Sequence, residues 1–315
     1  MADPGNLVED DLLRLVLMCT HPALATESAS ALALRLVLGV STHDIARLFL
    51  VTEPTMAARL TRAKKKVVAA GIPFAVPAAD VLPDRLETVA HTAYLAFTAG
   101  YAPGSGPDLL RAELAGEAIR LIRVVLALRP GEATLVALLA LMLLQHSRRD
   151  ARVDDDGNLV LLADQDRGRW RRDEVEEARS LLADPVLARP LSPLAASYAV
   201  QGRIAVEHAT APAADATRWD RIVGHYDLLL ALSPSPSARL ARAVAVAEAD
   251  GPTAGLDALL GVQIPGSHRV DAVRAELLTR VGDVPAARAA YDVAISGCRN
   301  DAERAHMVGK RALLG

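Results

Sequence analysis

The chain is poor in aromatic residues, in cysteine and in charge of one sign. Phe, Tyr and Trp make up 3% of its 315 residues, so its core has to be built from aliphatic and small side chains. The two cysteines, Cys19 and Cys298, stand far apart. This excludes a disulfide framework and a paired-cysteine metal motif, and fits a reducing cytoplasm. Lys and Arg number 35 against 38 Asp and Glu, a formal net charge of −3. Contact with nucleic acid therefore has to be confined to one basic patch. The most apolar stretch, Leu135 to Leu144, is too short to span a bilayer and ends at Gln145, His146 and Arg148. The opening segment, Met1 to Asp11, lacks the basic and apolar regions of a signal peptide. A phosphate-binding glycine loop, an HExxH pair and a nucleophile elbow are all missing. No catalytic residue, cofactor site or metal site is assigned, and the chain is not read as an enzyme.

What the sequence has in quantity is alanine, leucine and valine, arranged with a helical period and punctuated by Pro and Gly. An all-α protein is expected. A first unit of three or four short helices runs from about Leu12 to Ala70. The segment Gly71-Ile72-Pro73-Phe74-Ala75-Val76-Pro77 is a poor helix, because proline restricts the residue before it to extended conformations. This gives an N-terminal domain over residues 1–75, a linker over 76–83 and a second domain over 84–315 of about ten helices, most in antiparallel pairs.

Small residues where two helices cross, with a proline or glycine after them, recur in the second domain. Ala118, Ile122, Val125 and Pro130 form one set, and Gly224, Leu228, Ala231 and Pro236 another. Ala243, Val246, Gly255 and Leu259 form a third, and Ala275, Leu278, Gly282, Ala287, Tyr291 and Ala294 the clearest. Such spacing fits a degenerate tetratricopeptide-like stack, in which close helix approach buries a continuous core. One interruption is expected: a small β-hairpin in which Ala151–Val153 and Asn158–Leu162 flank a turn at Asp156-Gly157. Trp170 and Trp219 are read as packing between helices with the indole nitrogen on an acceptor. Cys19 and His21 are read as a helix-end thiol and a capping imidazole rather than half of a zinc site.

The informative segment is Ala31 to Val68. A helix ends at Leu38 with Gly39 as its stop. Ser41 starts a second, with Asp44 near its exposed amides. Ile45, Ala46 and Leu48 face inward, and the small Ala46 lets the next helix cross closely. Thr52 or Glu53 then caps a third helix with Pro54 in its first turn. Met56, Leu60, Ala63 and Val67 form that helix's buried stripe. Its opposite side carries Arg59, Arg62, Lys64, Lys65 and Lys66. This is the pattern of a helix-turn-helix whose recognition helix enters a major groove. Candidate DNA-binding residues are Thr52, Thr55, Ala57, Ala58, Arg59, Thr61, Arg62, Lys64, Lys65 and Lys66. The positions expected to point at base edges are Ala57, Ala58, Thr61 and Arg62. Alanine offers only a contact with a thymine methyl, so weak sequence discrimination and strongly salt-dependent affinity are expected.

The run from Asp10 to Pro77 resembles region 4 of extracytoplasmic-function sigma factors, within the group that carries a long C-terminal tetratricopeptide-like extension. The resemblance is carried by CTHPAL at Cys19 to Leu24, ALRLVLGVSTHDIARLFLV at Ala33 to Val51, EPTMAARLTRAKKKV at Glu53 to Val67 and AGIPFAVP at Ala70 to Pro77. FTAGY at Phe97 to Tyr101, DQDRGRW at Asp164 to Trp170 and ALSPSP at Ala231 to Pro236 resemble the extension. The resemblance implies a transcription initiation factor with promoter DNA and RNA polymerase as partners. The polymerase β-flap would be received by the apolar side of the region 4 helices. The extension lacks an obvious basic strip, so it is expected to contact protein and to fold against region 4 through the Ile72-Pro73-Phe74 linker. No membrane partner is implied. Sigma factors of this class begin with a region 2 domain that opens the promoter, and this chain starts where region 4 should start. It is either a fragment or a form without the melting domain. The alternative reading is a tetratricopeptide-type adaptor that no longer binds DNA.

Overall fold

A computed structural model describes residues 4–49, 51–101, 112–154 and 160–315. The helical period expected from the sequence is realised among these residues. Fifteen α-helices lie among the described residues. The first four are α1 (Pro4–Cys19), α2 (Thr26–Leu36), α3 (Thr42–Leu48) and α4 (Glu53–Ala69). Gly39 sits at φ +73, the left-handed conformation that stops α2's exit and returns the chain to Ser41. After a non-helical stretch, α5 (Leu82–Tyr101), α6 (Ala112–Leu128) and α7 (Ala133–His146) follow.

The apolar run Leu135 to Leu144 is buried at every position. A helix that is apolar all round belongs at the centre of a bundle, and α7 packs against α5, α6, α8 (Arg172–Leu182) and α9 (Pro193–Thr210). No helix among the described residues is long and apolar enough to cross a membrane.

The N-terminal helices do not stand apart from this bundle. A single apolar cluster runs from Leu13 in α1 through Ile45, Met56 and Leu86 to Tyr198 and Ala209 in α9. Helices α1, α2 and α3 each touch α5, and α1 also touches α6. At this junction Arg85 is buried and donates a hydrogen bond to the Leu17 carbonyl. Ile72 is buried, but Phe74 is half exposed and Pro73 exposed. The packing on the N-terminal helices is thus made by α5 and α6, with Ile72 as the linker's one buried member of that trio.

Beyond α9 the core is layered differently. Val200, Ile204, Ile222 and Leu229 cluster between α9 and α10 (Trp219–Leu232). Leu240, Ala243, Ala247, Leu259 and Leu277 cluster among α11 (Pro236–Asp250), α12 (Pro252–Ala258) and α13 (Arg269–Val281). Ala275, Ala290, Tyr291, Ala294 and Met307 close the last layer with α14 (Val284–Gly297) and α15 (Asp301–Ala312). Each layer shares a helix or a neighbour with the next, as in stacked helical hairpins.

Three of the four small-residue sets fall at helix crossings. Ala118, Ile122 and Val125 are fully buried, as are Ala275, Ala287 and Ala294. Gly282, at φ +83, caps α13 and turns the chain into α14. Gly255 lies so close to α11 that a Cβ there would sit 2.4 Å from that of Ala247. The fourth set is out of phase. Gly224 and Leu228 are exposed and the buried positions of α10 are Ile222 and Leu229. In the uniform run Leu228-Leu229-Leu230 hydrophobicity alone does not fix the inner face. The expected hairpin is only partly within the described residues, because Asp155–Leu159 lie outside them. Ala151 belongs to a 3-10 turn rather than a strand, Val153 is a lone bridge residue, and the Val160 N–H donates to the Arg152 carbonyl at 2.9 Å.

Candidate nucleic-acid interface

Helices α3 and α4 are built by local chemistry. The Ser41 hydroxyl accepts the Asp44 N–H at 3.1 Å, which starts α3. The Thr52 hydroxyl accepts the Thr55 N–H at 3.4 Å at the start of α4, with Pro54 in the first turn where no amide bond is lost. Between them the Val51 N–H donates to the Ala46 carbonyl at 3.0 Å, closing the turn. Ile45 and Ala46 are buried, and Met56, Leu60 and Ala63 form the inward stripe of α4. Val67 is half-buried at its end. The side chain of Leu48 and the whole of Leu50 lie outside the described residues.

The opposite side of α4 faces solvent. Thr52, Thr55, Ala57, Ala58, Thr61, Arg62, Lys64, Lys65 and Lys66 are all exposed. Thr52, Thr55, Ala58, Arg62 and Lys65 follow one another at steps of three or four and so share a face. Arg62, Lys64, Lys65 and Lys66 make no ion pair among the described residues. Three of the threonine hydroxyls are already engaged. Thr61 donates to the Ala57 carbonyl at 2.9 Å, and Thr52 and Thr55 share a hydrogen bond at 2.8 Å.

Arg59 differs from the other cations. Its side chain is 21% exposed, its guanidinium pairs with Glu27 of α2 at 2.9 Å, and it lies over the Phe49 ring at 5.9 Å. It ties α4 to α2 and to the turn. Sequence alone grouped it with the lysines, because residue type does not reveal a partner on another helix. A further pair, His43 with Glu53 at 3.3 Å, joins α3 to the first turn of α4.

Elsewhere the chemistry-bearing residues are occupied. Burial pushes the Cys19 thiol up to about 12, and the His21 Nδ1 accepts the Ala23 N–H at 3.1 Å. A grouping that sequence reading did not find brings His268, Cys298 and Glu303 to within 4.8 Å of one another. It joins the start of α13, the end of α14 and the first turn of α15. Its members already satisfy each other and their surroundings: His268 pairs with Glu303 at 3.1 Å, Arg269 with Glu303 at 3.6 Å, and the Cys298 thiol lies 3.3 Å from the Asn300 carbonyl.

The helical exterior of α4 thus offers a row of unpaired cations beside an apolar, methyl-bearing strip, which suits a polyanionic duplex. Comparison with known proteins agrees with this geometry. Residues 14–67, from α1 to the end of α4, match the sigma-70 region 4 family, and residues 85–185 match a family of unknown function, DUF6596. No solved structure matches the chain. An uncharacterized protein of Rhizobium meliloti (strain 1021) is 43% identical over 305 residues, covering 96% of this chain and 71% of that protein. The chain belongs to the same family as this rhizobial protein, and it is sigma factor-like, with a DNA-binding helix-turn-helix of the sigma-70 region 4 type at its N-terminal end.

Proposed function

We propose that this protein is a transcription initiation factor of the extracytoplasmic-function sigma class, in the group with a tetratricopeptide-like extension, and that it reads a −35-type promoter element through α4. The observation that supports this most is the division of α4 into a buried stripe of Met56, Leu60 and Ala63 and an exposed side bearing Arg62, Lys64, Lys65 and Lys66. The lysines hold phosphates and set position. Arg62 supplies a guanidinium fork for a base edge, and Ala57 and Ala58 present methyl groups to thymine. Thr52 and Thr55 lie at the exposed start of the helix, where their hydroxyls and the local amides meet the backbone of the duplex.

The partner reading follows from the same resemblance. RNA polymerase would meet the region 4 helices through its β-flap, on their apolar side. Helices α5 and α6 already lie against α1, α2 and α3. The extension would therefore compete for or shape that ground, which gives it a means of modulating docking from the cytoplasmic side, where the chromosome lies. The division into residues 1–75, 76–83 and 84–315 then describes a reading unit and a modulating unit. A protein partner on the outer faces of α10 to α15 belongs to the same proposal.

The adaptor reading draws support from the same face: Ala57 and Ala58 cannot donate hydrogen bonds, and Arg59 is turned to Glu27. Binding of the full chain to a duplex carrying a −35-type element, measured across about 50 to 200 mM salt, separates the two. The three lysines on phosphates predict a slope of log affinity against log salt near −2.7, about 0.9 for each phosphate neutralised. Replacing Lys64, Lys65 and Lys66 together by alanine should shallow it by about 2.7. Arg62→Ala should narrow the gap between the best and a scrambled site by about 1–3 kcal/mol. Binding that is absent at low salt, or a slope untouched by the triple substitution, favours the adaptor.

A further inference from the structure

The corner where the last three helices meet holds donor atoms that DNA reading does not use. His268 stands at the start of α13, Cys298 follows the end of α14, and Glu303 lies in the first turn of α15. The His268 imidazole, the Cys298 sulfur and a Glu303 carboxylate oxygen lie within 4.8 Å of one another, the one such group of three among the described residues. The chain has eight histidines and two cysteines, so a thiol and an imidazole sharing one carboxylate is not a product of abundance.

Several separate contacts hold these side chains together. A Cβ built on Gly297 would lie 3.5 Å from that of His268, so the last turn of α14 runs directly against residue 268 and delivers Cys298 beside it. The Arg304 Nε donates to the Cys298 carbonyl at 3.3 Å and fixes the backbone there. Asn300 links the other two donors. Its carbonyl accepts from the Cys298 thiol at 3.3 Å, and its side-chain oxygen accepts the Glu303 N–H at 3.0 Å. Glu303 turns one carboxylate oxygen to His268 Nε2 at 3.1 Å and the other to Arg269 at 3.6 Å. The Arg269 contact orients the carboxylate, as the outer partners of metal ligands do.

The contacts of the three donor atoms are made through hydrogens, and a cation takes the place of hydrogens. The separation of His268 Nε2 from Glu303 Oε2 requires a proton between them, and the Cys298 thiol spends its proton on the Asn300 carbonyl. Tetrahedral zinc, with bonds of about 2.0–2.3 Å, places its donor atoms about 3.3–3.6 Å apart. The imidazole and carboxylate already meet that spacing, and no pair of donors has to close by more than about 1 Å. A thiolate and a carboxylate together match the charge of a divalent ion, and sulfur with imidazole nitrogen selects zinc over magnesium and calcium. The His268 and Glu303 side chains are 14% and 26% exposed, which gives an ion its way in and leaves a fourth position to water.

We propose that His268, Cys298 and Glu303 bind a zinc ion through Nε2, Sγ and one carboxylate oxygen, with water as the fourth ligand. On binding, the thiol proton goes to solvent and the imidazole keeps a hydrogen on Nδ1 only. The ion fastens the start of α13, the end of α14 and the start of α15 to one another, so the last layer of the extension gains stability with metal concentration. This assignment stands apart from DNA reading by α4, and its test involves no DNA.

The probe is Co2+, which takes the tetrahedral place of zinc and is visible. The untagged full chain, kept reduced, is titrated with it. One equivalent is expected to bring the visible bands of a tetrahedral ion and a near-ultraviolet thiolate-to-cobalt charge-transfer band, and one equivalent of Zn2+ should abolish both. Cys298→Ser, which keeps a hydroxyl for the Asn300 carbonyl, should lose the charge-transfer band. His268→Ala and Glu303→Gln should each weaken Co2+ by about tenfold or more. Cys19→Ala removes the other thiol of the chain and should leave the spectrum unchanged. Zn2+ should raise the urea midpoint of the wild-type chain and leave that of Cys298→Ser where it is. Circular dichroism establishes that each variant is folded. No saturable tetrahedral spectrum, a charge-transfer band that survives Cys298→Ser, or an affinity unmoved by His268→Ala and Glu303→Gln would each overturn the proposal.

Discussion

Arg59→Ala tests whether the cations of α4 are correctly divided between holding the fold and meeting DNA. In the wild-type protein the guanidinium pairs with Glu27 at 2.9 Å and lies 5.9 Å above Phe49. Glu27 is 67% exposed, so the ion pair contributes only about 0.5 kcal/mol. The cation–π contact adds about 0.5–1 kcal/mol at a partly covered site, and the methylene stem that packs beneath the charged head adds some apolar burial. The expected loss is about 1–2 kcal/mol, read as a lower unfolding midpoint in urea at constant salt. Lys65→Ala, at an exposed position with no partner among the described residues, should change stability by less than about 0.5 kcal/mol. The DNA assay should give the reverse ranking. Lys65→Ala should shallow the salt slope by about 0.9, while Arg59→Ala leaves it alone once the protein is kept below its unfolding transition. An Arg59→Ala protein of wild-type stability whose slope falls by about one would refute the assignment and return Arg59 to the phosphate-binding row.

Two further outcomes follow from positions in the extension. Gly255→Ala puts a methyl 2.4 Å from the Ala247 Cβ and 3.1 Å from its Cα, so α12 has to move off α11. Overpacking should outweigh the helix-propensity gain and lower stability by about 2 kcal/mol. Gly224→Ala meets nothing within 4 Å and should stabilise by up to about 1 kcal/mol, both variants being read by urea unfolding. His208 sets a pH dependence. Unfolded, it takes a proton near pH 6.5, and folded, only near pH 4, because of burial, Arg148 and Arg167. Its contribution is therefore complete above pH 6.5 and is lost as pH falls towards 4, by up to about 3 kcal/mol. His208→Asn should flatten that part of the stability profile; profiles of the two proteins that stay parallel from pH 7.5 to 4.5 would contradict the depressed value.

The parts of the molecule that were legible in the sequence are those fixed by neighbours in the chain. Ser41, Thr52 and Pro54 state where α3 and α4 begin because caps act within three residues. The buried stripe of α4 follows from spacing alone, and so do the crossings at Ala118, Ala275 and Ala287. Leu135 to Leu144 was legible as too short for a membrane span, while its place at the centre of the bundle came only with the fold. What escaped was set at long range. Arg59 and Glu27 are on different helices, so a stretch rich in arginine and lysine looked uniform when one member was committed elsewhere. The phase of α10 was lost among consecutive leucines, any of which could have faced inward. Trp170 is buried as expected, but its indole N–H meets no acceptor among the described residues, since where an acceptor stands is decided far along the chain. His268, Cys298 and Glu303 likewise meet only when the last three helices are in place.

The hydrogen bond from Arg85 to the Leu17 carbonyl, and the shared apolar cluster around it, make the junction between α1 and α5 a weld rather than a hinge. Cutting the chain after Pro77 would strip the cover from Val16 and Leu17, so an excised reading head is a poor surrogate for the whole. In the intact molecule any tilt imposed on α5 by events in the extension is transmitted to the helices that carry α4, in the manner of a handle fixed to its blade.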